Sequence, residues 1–297
     1  MDICPSRGPD RPETAAERAH LGERVFSLKK RFLAMYRNAH AGHIGSSLSC
    51  AELLVFLKHA WMSDEDVFLL SKGHAVAALY ALLAEAGTIS PRDLDSFYAD
   101  GTHFPALPPV GAIEEIPFAT GSLGHGLSLS AGMALGARLK GRARRVFCLT
   151  SDGELDEGST WEAALFIAHR KLTNLVWLID RNRIQGIGGT EEVLALEPLD
   201  AKLEAFGFHV IAADGHDFGA LLDARAACAR ALEAGGRPVA IIAHTIKGNG
   251  IGYMQDTVAS HYLPMDEAQY QRALDELALA HAAAMTGPPP ARDEDAG

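Results

Sequence analysis

Residues 145–154 read Arg145-Val-Phe-Cys-Leu-Thr-Ser-Asp-Gly-Glu154, in which an apolar run of strand length, residues 146–149, is soon followed by Asp152 and Gly153. The next apolar run, residues 175–179, is followed by Asp180-Arg-Asn182. Residues 160–169 lie between the two runs and have helical spacing. A strand, a helix and a second strand in this order predict a βαβ unit with parallel strands and a right-handed crossover.

The same alternation recurs along the chain. Further apolar runs of strand length occupy residues 67–70, 210–212 and 239–243, and residues 126–139 and 266–285 have helical character. The pattern predicts an α/β fold, a doubly wound parallel sheet with helices on both faces. Ligands bind beyond the carboxyl ends of the strands in such sheets, so the residues after each apolar run are the first candidates for a site.

Composition and charge exclude several classes of function. The chain has 48% hydrophobic and 22% charged residues, as ordinary globular proteins do. Its net charge of −11, without a basic stripe, argues against a nucleic-acid partner. The apolar runs are too short to span a bilayer, and the polar N-terminus lacks the apolar segment of a secretory signal. The four cysteines form no CxxC pair, so we expect a cytoplasmic protein with no membrane partner.

The ends of the chain differ from its middle. Residues 1–13 and 287–297 are rich in proline or charge and are predicted to be disordered tails. Residues 14–286 contain no flexible linker and no fixed-period repeat, and their number suits a sizeable core. We therefore expect a single domain over residues 14–286.

Polar side chains follow two of the predicted strands. If those strands are neighbours, the Asp152 carboxylate and the Asn182 amide oxygen meet at one edge of the sheet. Hard oxygen ligands, with a backbone carbonyl nearby, suit Mg²⁺, which completes its octahedron with phosphate oxygens and water. Gly153 has no Cβ and lets the backbone approach a diphosphate. Taken alone, Asp-Gly after a strand is more often a simple turn.

Two weaker signals accompany this pair. Gly121-Ser-Leu-Gly-His-Gly126 opens the helix predicted over residues 126–139 and offers backbone N–H groups to an anion, although a tight turn explains it equally well. Four histidines lie in loop contexts beside Gly, Ser or Thr: His43, His74, His103 and His261. Each alone is typical of a surface or capping residue, but four together would suit proton transfer to and from hydroxyl groups.

Taken in order, these segments resemble the thiamine-diphosphate-binding domain of transketolases, from Gly42 to His261. The motifs are the GHxGS loop (His43, Ser46), the SKGHA loop (Lys72, His74), the TGSLGxG loop (Gly121 to Gly126), the DGExxEGxxWEA block (Asp152 to Ala163), DxNRIQ (Asp180 to Gln185), DGHD (Asp214 to Asp217) and TxKGxGI (Thr245 to Ile251). Each motif is short, but their joint order is specific. The resemblance implies the thiamine-diphosphate-binding fold of the PP type.

The resemblance also implies a set of site residues. Asp152, Asn182 and the carbonyl of Ile184 would hold Mg²⁺. The residues that match cofactor contacts are Lys72, His74, Gly121, Ser122, Leu123, Asp152, Gly153, Glu157, Asn182, Ile184, Lys247 and His261. His43, His103 and His261 match the histidines that contact sugar hydroxyls and assist proton transfer. Outside its motif, Lys247 would be interpreted as a solvated surface lysine.

The implied reaction moves a two-carbon ketol unit from a ketose donor to an aldehyde acceptor, with thiamine diphosphate and Mg²⁺. In the family, the glutamate that activates the pyrimidine ring lies on a second, pyrimidine-binding domain, and no second α/β repeat follows here. The chain is therefore similar to the N-terminal subunit of a split transketolase that needs a C-terminal, pyrimidine-binding partner, in an α2β2 assembly. Glu157 and Glu162 match carboxylates that approach that partner, or they are exposed acids at a helix start.

Several positions depart from the family pattern. Ser151 replaces the first glycine of GDG, His125 stands where Gln is common, and Tyr262 follows His261 where Gly is usual. The segment between Trp61 and Phe68 is short, and the loop around His103 is irregular. The departures at His103, His125 and Tyr262 fall in motifs that the family uses around cofactor and sugar, so these three are compatible with a non-standard donor or acceptor.

Two other interpretations remain open at this point. The α subunit of a 2-oxo acid dehydrogenase also binds thiamine diphosphate through an Asp-Gly and Asn motif, although the SKGHA and TxKGxGI segments argue against it. A non-catalytic transketolase-like scaffold is the other alternative. The joint presence of Asp152, Asn182, His43, His74 and His261 speaks against a scaffold, because a scaffold needs none of them.

Overall fold

The structure is a computed structural model that describes residues 14–286. The two predicted tails, residues 1–13 and 287–297, lie outside the described residues. Within residues 14–286 the α-helices are α1 (Ala15–Ala39), α2 (Ile44–Ser49), α3 (Ala51–Phe56), α4 (Val76–Glu85), α5 (Gly126–Leu139), α6 (Gly158–His169), α7 (Thr190–Val193), α8 (Leu199–Phe206), α9 (Phe218–Glu233), α10 (Ala259–Tyr262) and α11 (Glu267–Thr286). Short 3₁₀ turns at Gly73–Ala75 and Gly153–Asp156 follow two of the strands.

The described residues form a five-stranded, fully parallel sheet. Its strands are β1 (Val67–Leu70), β2 (Val146–Ser151), β3 (Leu175–Arg181), β4 (His209–Asp214) and β5 (Val239–His244), in the spatial order β1-β2-β3-β5-β4. Each of the five predicted strands is present, and four of them extend one to three residues beyond the predicted bounds. The prediction of a doubly wound parallel sheet is confirmed.

Two hydrophobic cores cover the two faces of the sheet. Val176 and Leu178 of β3 join the core formed with α1, α3, α4, α9 and α11. Leu175, Trp177 and Ile179 of the same strand join the core formed with α5, α6 and α8. This split follows from the two-residue repeat of a strand, which sends successive side chains to opposite faces. Because both faces are covered, β3 is buried along its whole length.

Local sequence signals account for the ends of several helices. Helix α1 begins at a capping box in which Thr14 accepts from the Glu17 N–H and Glu17 accepts from the Thr14 N–H. Helix α9 begins after Asp217, whose side chain accepts from the Ala220 N–H at 2.7 Å. Helix α8 ends at Gly207, which adopts the left-handed conformation that favours glycine. Residues 14–286 include no helix long and apolar enough to cross a membrane.

Candidate active site

The sheet brings the predicted site residues to one edge. The parallel register pairs Ser151 of β2 with Asp180 of β3, so Asp152 and Asn182 follow neighbouring strand ends. Residues 71–74 follow β1 and residues 245–247 follow β5, at the same carboxyl edge. The expected adjacency of Asp152 and Asn182 is therefore present, and the site lies where parallel sheets bind ligands.

Asp152 is a buried carboxylate surrounded by donors. It is 1% exposed. Its Oδ2 accepts from the Arg183 N–H at 2.6 Å and from Arg181 at 3.1 Å, and its Oδ1 accepts from the Gly153 N–H at 2.8 Å. Burial and then the charge of nearby Asp180 nevertheless raise the pKa of Asp152 above its ordinary value. The carboxylate therefore lies where a further cation would stabilise it.

The oxygens beside Asp152 fit a hard cation. Asn182 is buried, and its Oδ1 accepts from the Ile184 N–H at 3.2 Å, which fixes the amide beside the loop. The carbonyl oxygen of Ile184 already accepts from the Lys247 ammonium at 2.9 Å. A carboxylate, an amide oxygen and a carbonyl that attracts a cation form the donor set that Mg²⁺ prefers. Within residues 14–286, no cluster of three or more His, Cys, Asp or Glu side chains offers an alternative metal site.

Three of the four predicted histidines form a triangle of rings. The ring centroids are 5.5 Å apart for His43 and His74, 5.0 Å for His43 and His261, and 5.4 Å for His74 and His261. The backbone joins two of them directly, since the His43 N–H donates to the His261 carbonyl at 2.8 Å. His43 has a left-handed backbone with φ of 69°, which costs on the order of 1 to 3 kcal/mol for a residue with a Cβ.

All three histidines of this triangle are held in the neutral state near pH 7. Burial, followed by the charge of Lys247, lowers the pKa of His43 and lowers that of His261 to about 3. Burial and the charge of Lys72 lower the pKa of His74 well below its usual value. A neutral imidazole has one N–H donor and one acceptor nitrogen, so the triangle can exchange protons with hydroxyl groups.

Lys247 connects the histidines to the proposed metal ligands. It is 1% exposed, and its Nζ lies 2.7 Å from His261 Nδ1 as well as 2.9 Å from the Ile184 carbonyl oxygen. Burial and repulsion by Lys72 lower its pKa to about 7. The interpretation as a solvated surface lysine is therefore wrong.

Lys72 lies deeper than the sequence suggests. It is fully buried and forms an ion pair with the fully buried Asp180. Its ammonium also donates to the Ser46 carbonyl at 2.9 Å and to Ser49 Oγ at 3.3 Å. An ammonium has three donors, and these contacts use all three. Every donor of Lys72 therefore faces the protein interior, and its match to a cofactor contact stays a prediction.

His103 is not part of the histidine triangle. It is exposed in the irregular loop after the 3₁₀ turn Asp93–Ser96, and its ring contacts none of the other three. Leu107 of the same loop lies instead against Gly121, where a Cβ would come within 2.7 Å of a Leu107 methyl group. Three of the four histidines therefore lie together, while the His103 loop places the side chain of Leu107 against the glycine loop.

The Gly121–Gly126 segment is held by a residue that the sequence reasoning did not single out. Glu154 is fully buried and accepts from the Gly124 N–H at 2.9 Å and from the Ser71 hydroxyl. It thereby ties the glycine loop to the ends of β1 and β2. Gly121 keeps a φ of 129°, so the predicted cofactor contacts Gly121, Ser122 and Leu123 lie on a backbone that favours glycine.

Asp180 is the second residue that the sequence reasoning left without a role. Besides the Lys72 ammonium it accepts from Ser49 at 2.6 Å and from the Thr245 hydroxyl. Although burial alone would raise its pKa, Lys72 lowers it. The available signal was its place as the first acid after the apolar run of β3.

Glu157 and Glu162 are exposed at the start of α6, and the side chain of Glu157 lies against Gly124.

A protein-family comparison matches residues 29–286 to the transketolase thiamine diphosphate binding domain. The chain is 33% identical over 267 residues to one subunit of the apulose-4-phosphate transketolase from Actinobacillus succinogenes, and the alignment covers 86% of this chain and 95% of that protein. It is 37% identical over 245 residues to 6-deoxy-6-sulfo-D-fructose transketolase subunit SqwG from a Clostridium species, and this alignment covers 80% of this chain and 88% of that protein.

Solved structures share the architecture described above. Transketolase from Campylobacter jejuni superposes with a TM-score of 0.79 at 27% identity, over 87% of this chain and 42% of that one. The chain therefore spans less than half the length of the solved transketolase that it resembles, whereas it spans nearly all of the relative from Actinobacillus succinogenes.

Proposed function

This chain belongs to the transketolase family, and we propose that it is the N-terminal, thiamine-diphosphate-binding subunit of a two-component transketolase. Its reaction is the transfer of a two-carbon ketol unit from a ketose donor to an aldose acceptor. The observation that carries this proposal is the convergence of Asp152, Asn182 and the Ile184 carbonyl with His43, His74 and His261 at the carboxyl edge of one sheet.

The names of the related proteins support the division into subunits. The relatives from Actinobacillus succinogenes and Clostridium are each named as one subunit of a transketolase, and this chain covers 95% and 88% of their lengths. We infer that residues 14–286 form one domain that supplies the diphosphate side of the site. The pyrimidine side then comes from a separate C-terminal subunit in an α2β2 assembly, and Glu157 and Glu162 face that partner from the start of α6.

Thiamine diphosphate supplies a carbon nucleophile and an electron sink for the ketol unit, and Mg²⁺ neutralises its diphosphate. Asp152, Asn182 and the Ile184 carbonyl would hold the metal ion. Gly153 has no Cβ and would let the backbone approach the phosphate oxygens. A Cβ there would also lie 3.0 Å from the Gln185 side chain. Gly121, Ser122 and Leu123 would line the opposite side.

The histidines would handle the protons of the sugar. When Lys247 is protonated it donates to His261 Nδ1, so the neutral ring carries its proton on Nε2 and can donate it to a substrate oxygen. His43 lies next to it and can accept a hydroxyl proton, since its low pKa keeps the ring neutral. His74 is deeper and would face the cofactor. His103 stays a predicted catalytic residue. It would reach His43, His74 and His261 only if its loop moved, for example on binding of the partner subunit.

The two buried lysines have different roles in this proposal. Lys247 contacts His261 and the Ile184 carbonyl and would place positive charge beside the diphosphate. Lys72 is a positioning residue, because its ion pair with Asp180 fixes the ends of β1 and β3 relative to α2. We place the protein in the cytoplasm, in line with the three buried free cysteines Cys50, Cys148 and Cys228.

Calorimetry with thiamine diphosphate and Mg²⁺ tests the proposal before any substrate is known. The chain and the pyrimidine-binding subunit from the same organism are titrated separately and then as an equimolar mixture. We expect saturable, Mg²⁺-dependent binding by the mixture and weak or no binding by either component. A mixture that binds no thiamine diphosphate would contradict the proposal and favour a scaffold.

A further inference from the structure

Tyr262 lies in the site and has no role in the function proposed above. Its ring centroid is 4.8 Å from that of His261 and 6.3 Å from that of His43, with the rings inclined by 65° and 60°. The residue is 54% exposed. Within residues 14–286 its hydroxyl forms no hydrogen bond. A tyrosine that packs edge-on against two histidines and bonds to neither presents its ring to whatever enters the site.

Gly186 makes room for this ring. A Cβ at position 186 would collide with the Tyr262 hydroxyl and would lie 3.0 Å from Cζ of the same ring and 3.4 Å from His261 Nε2. Gly186 belongs to the loop that carries the Ile184 carbonyl, and the Gln185 N–H closes that loop on the Gly188 carbonyl at 3.0 Å. The phenol ring therefore bridges from α10 to the loop after β3.

The backbone around Tyr262 is fixed on the other side as well. The missing Cβ of Gly42 faces the backbone carbonyl carbon of Tyr262 at 2.8 Å, so the two chain segments are in direct contact. The His43 N–H bond to the His261 carbonyl lies beside that contact. The backbone that carries the ring is therefore held by contacts with Gly42 and His43.

Solvent exposure increases along the contacts from Lys247 through His261 to Tyr262. Lys247 is buried, His261 is partly buried above it, and Tyr262 is exposed beyond His261. Tyr262 contacts the rings of His43 and His261 but not that of His74. The ring is thus on the outer side of the histidine triangle, where the part of a substrate beyond the reacting carbons would lie.

We propose that Tyr262 is a specificity-determining residue whose ring forms the outer wall beside His43 and His261 and limits the length of the acceptor aldose. The inference rests on the proposed function, because it takes the acceptor to be an aldose. An aromatic wall discriminates by excluding the extra carbons of a longer chain, and such discrimination changes relative kcat/KM between acceptors rather than the reaction itself.

The test uses the complex of this chain with its pyrimidine-binding subunit, thiamine diphosphate and Mg²⁺. Hydroxypyruvate is the donor, and glycolaldehyde, D-glyceraldehyde, D-erythrose and D-ribose are acceptors of two to five carbons. Tyr262→Ala should raise kcat/KM for ribose relative to glycolaldehyde by about tenfold. Tyr262→Phe should keep the wild-type ranking, since the ring remains. The neighbouring Leu263 is exposed and carries no aromatic ring, so Leu263→Ala is the matched control.

Gly186→Ala is a second substitution that tests the proposal. Its Cβ must displace the Tyr262 ring, so it should shift the ranking in the wild-type background and have no further effect in Tyr262→Ala. An identical acceptor ranking in wild type, Tyr262→Ala and Gly186→Ala would overturn the proposal. Additive effects of Gly186→Ala and Tyr262→Ala would overturn it too, since they would show that the two positions act separately.

A readout without turnover separates this inference from the proposed function. Diethyl pyrocarbonate is applied to the intact complex, and carbethoxylation of His43 and His261 is followed by peptide mass spectrometry. Tyr262→Ala should accelerate modification of these two histidines several-fold, and Leu263→Ala should not. Equal rates of histidine modification in wild type and Tyr262→Ala would overturn the proposal that the Tyr262 ring forms a wall beside these histidines. If wild type transfers no ketol unit but the labelling rates differ as expected, the proposed function fails while the wall beside the histidines stands.

Discussion

The side chains of Lys247 and His261 are in direct contact, with 2.7 Å between Nζ and Nδ1. The same lysine contacts the Ile184 carbonyl oxygen at 2.9 Å. The Lys247 side chain therefore joins a histidine of the proposed site to an oxygen of the proposed metal site. When Lys247 is protonated it can only donate, so in that state the contact leaves the proton of the neutral His261 ring on Nε2.

Replacing Lys247 by Met should raise the pKa of His261 from its value of about 3. The variant removes a positive charge beside the ring, and the protonated imidazole becomes less unfavourable. The pKa should stay below the usual range because burial, the larger cause, remains. Nuclear magnetic resonance of ¹³C-labelled histidine follows the titration. Lys58→Met, an exposed lysine on the turn after α3, is the control, and an unchanged His261 pKa in Lys247→Met would contradict the electrostatic role.

Asp152→Asn should abolish binding of thiamine diphosphate to the assembled complex while leaving the fold intact. The amide is nearly isosteric with the carboxylate, but it loses the charge that a divalent cation requires. Calorimetry measures the binding, and circular dichroism checks the fold. The exposed Asp223 of α9 offers a matched control, since Asp223→Asn removes one carboxylate far in sequence from the site. Undiminished Mg²⁺-dependent binding by Asp152→Asn would refute this metal site.

Replacing Lys72 by Met should destabilise the fold by about 3 to 5 kcal/mol. The substitution leaves the fully buried Asp180 carboxylate without its ion-pair partner. Lys72→Met combined with Asp180→Asn should recover part of the loss, since neither buried charge then remains. Guanidinium unfolding of the four proteins gives the coupling energy. Strictly additive losses would show that the pair does not act as a unit.

Glu52 should make the stability depend on pH in the acid range. This buried carboxylate accepts from Lys29 at 2.7 Å and from Asn249 at 3.2 Å, and its second oxygen lies 3.1 Å from His216 Nδ1. Although burial alone would raise its pKa, Lys29 and His216 lower it from 4.5 to about 2. A lowered folded-state pKa means that the stabilisation is complete above pH 4.5 and is lost as the pH falls toward 2.

The predicted loss is on the order of 3 kcal/mol across that interval. Urea unfolding at a series of pH values measures it in wild type and in Glu52→Gln, which should lack this slope and be less stable at pH 7. Glu267→Gln is the control, because Glu267 is exposed and lies 3.6 Å from Arg37. Parallel stability curves for wild type and Glu52→Gln would exclude Glu52 as the source of the pH dependence.

Much of the fold was predictable because its signals are local. Each strand is an apolar run, and the alternation with helices dictates parallel neighbours, so the meeting of Asp152 and Asn182 follows from two short stretches of sequence. The TxKGxGI segment drew attention to Lys247 in the same way. The motifs do not show which partners a side chain contacts. The Lys72 ammonium donates hydrogen bonds to Asp180, Ser46 and Ser49, which are distant from it in sequence.

The remaining gaps concern loops. The path of the His103 loop depends on the packing of Leu107 against Gly121, a contact that no periodic pattern encodes. The contact between Tyr262 and Gly186 joins segments more than 70 positions apart, and each residue is ordinary when taken alone. A substitution can be noticed in a motif, as Tyr262 is here, but its partner becomes visible only in three dimensions.

Transfer of a labelled two-carbon unit tests the central claim most directly. A ketose carrying ¹³C at carbons 1 and 2 is incubated with an aldose acceptor, thiamine diphosphate and Mg²⁺. The reaction contains this chain, the pyrimidine-binding subunit, or both, and ¹³C nuclear magnetic resonance detects the product ketose. We predict that both carbons move together into the product only when the two subunits are mixed. A mixture that binds the cofactor yet moves no label from any ketose would contradict the account.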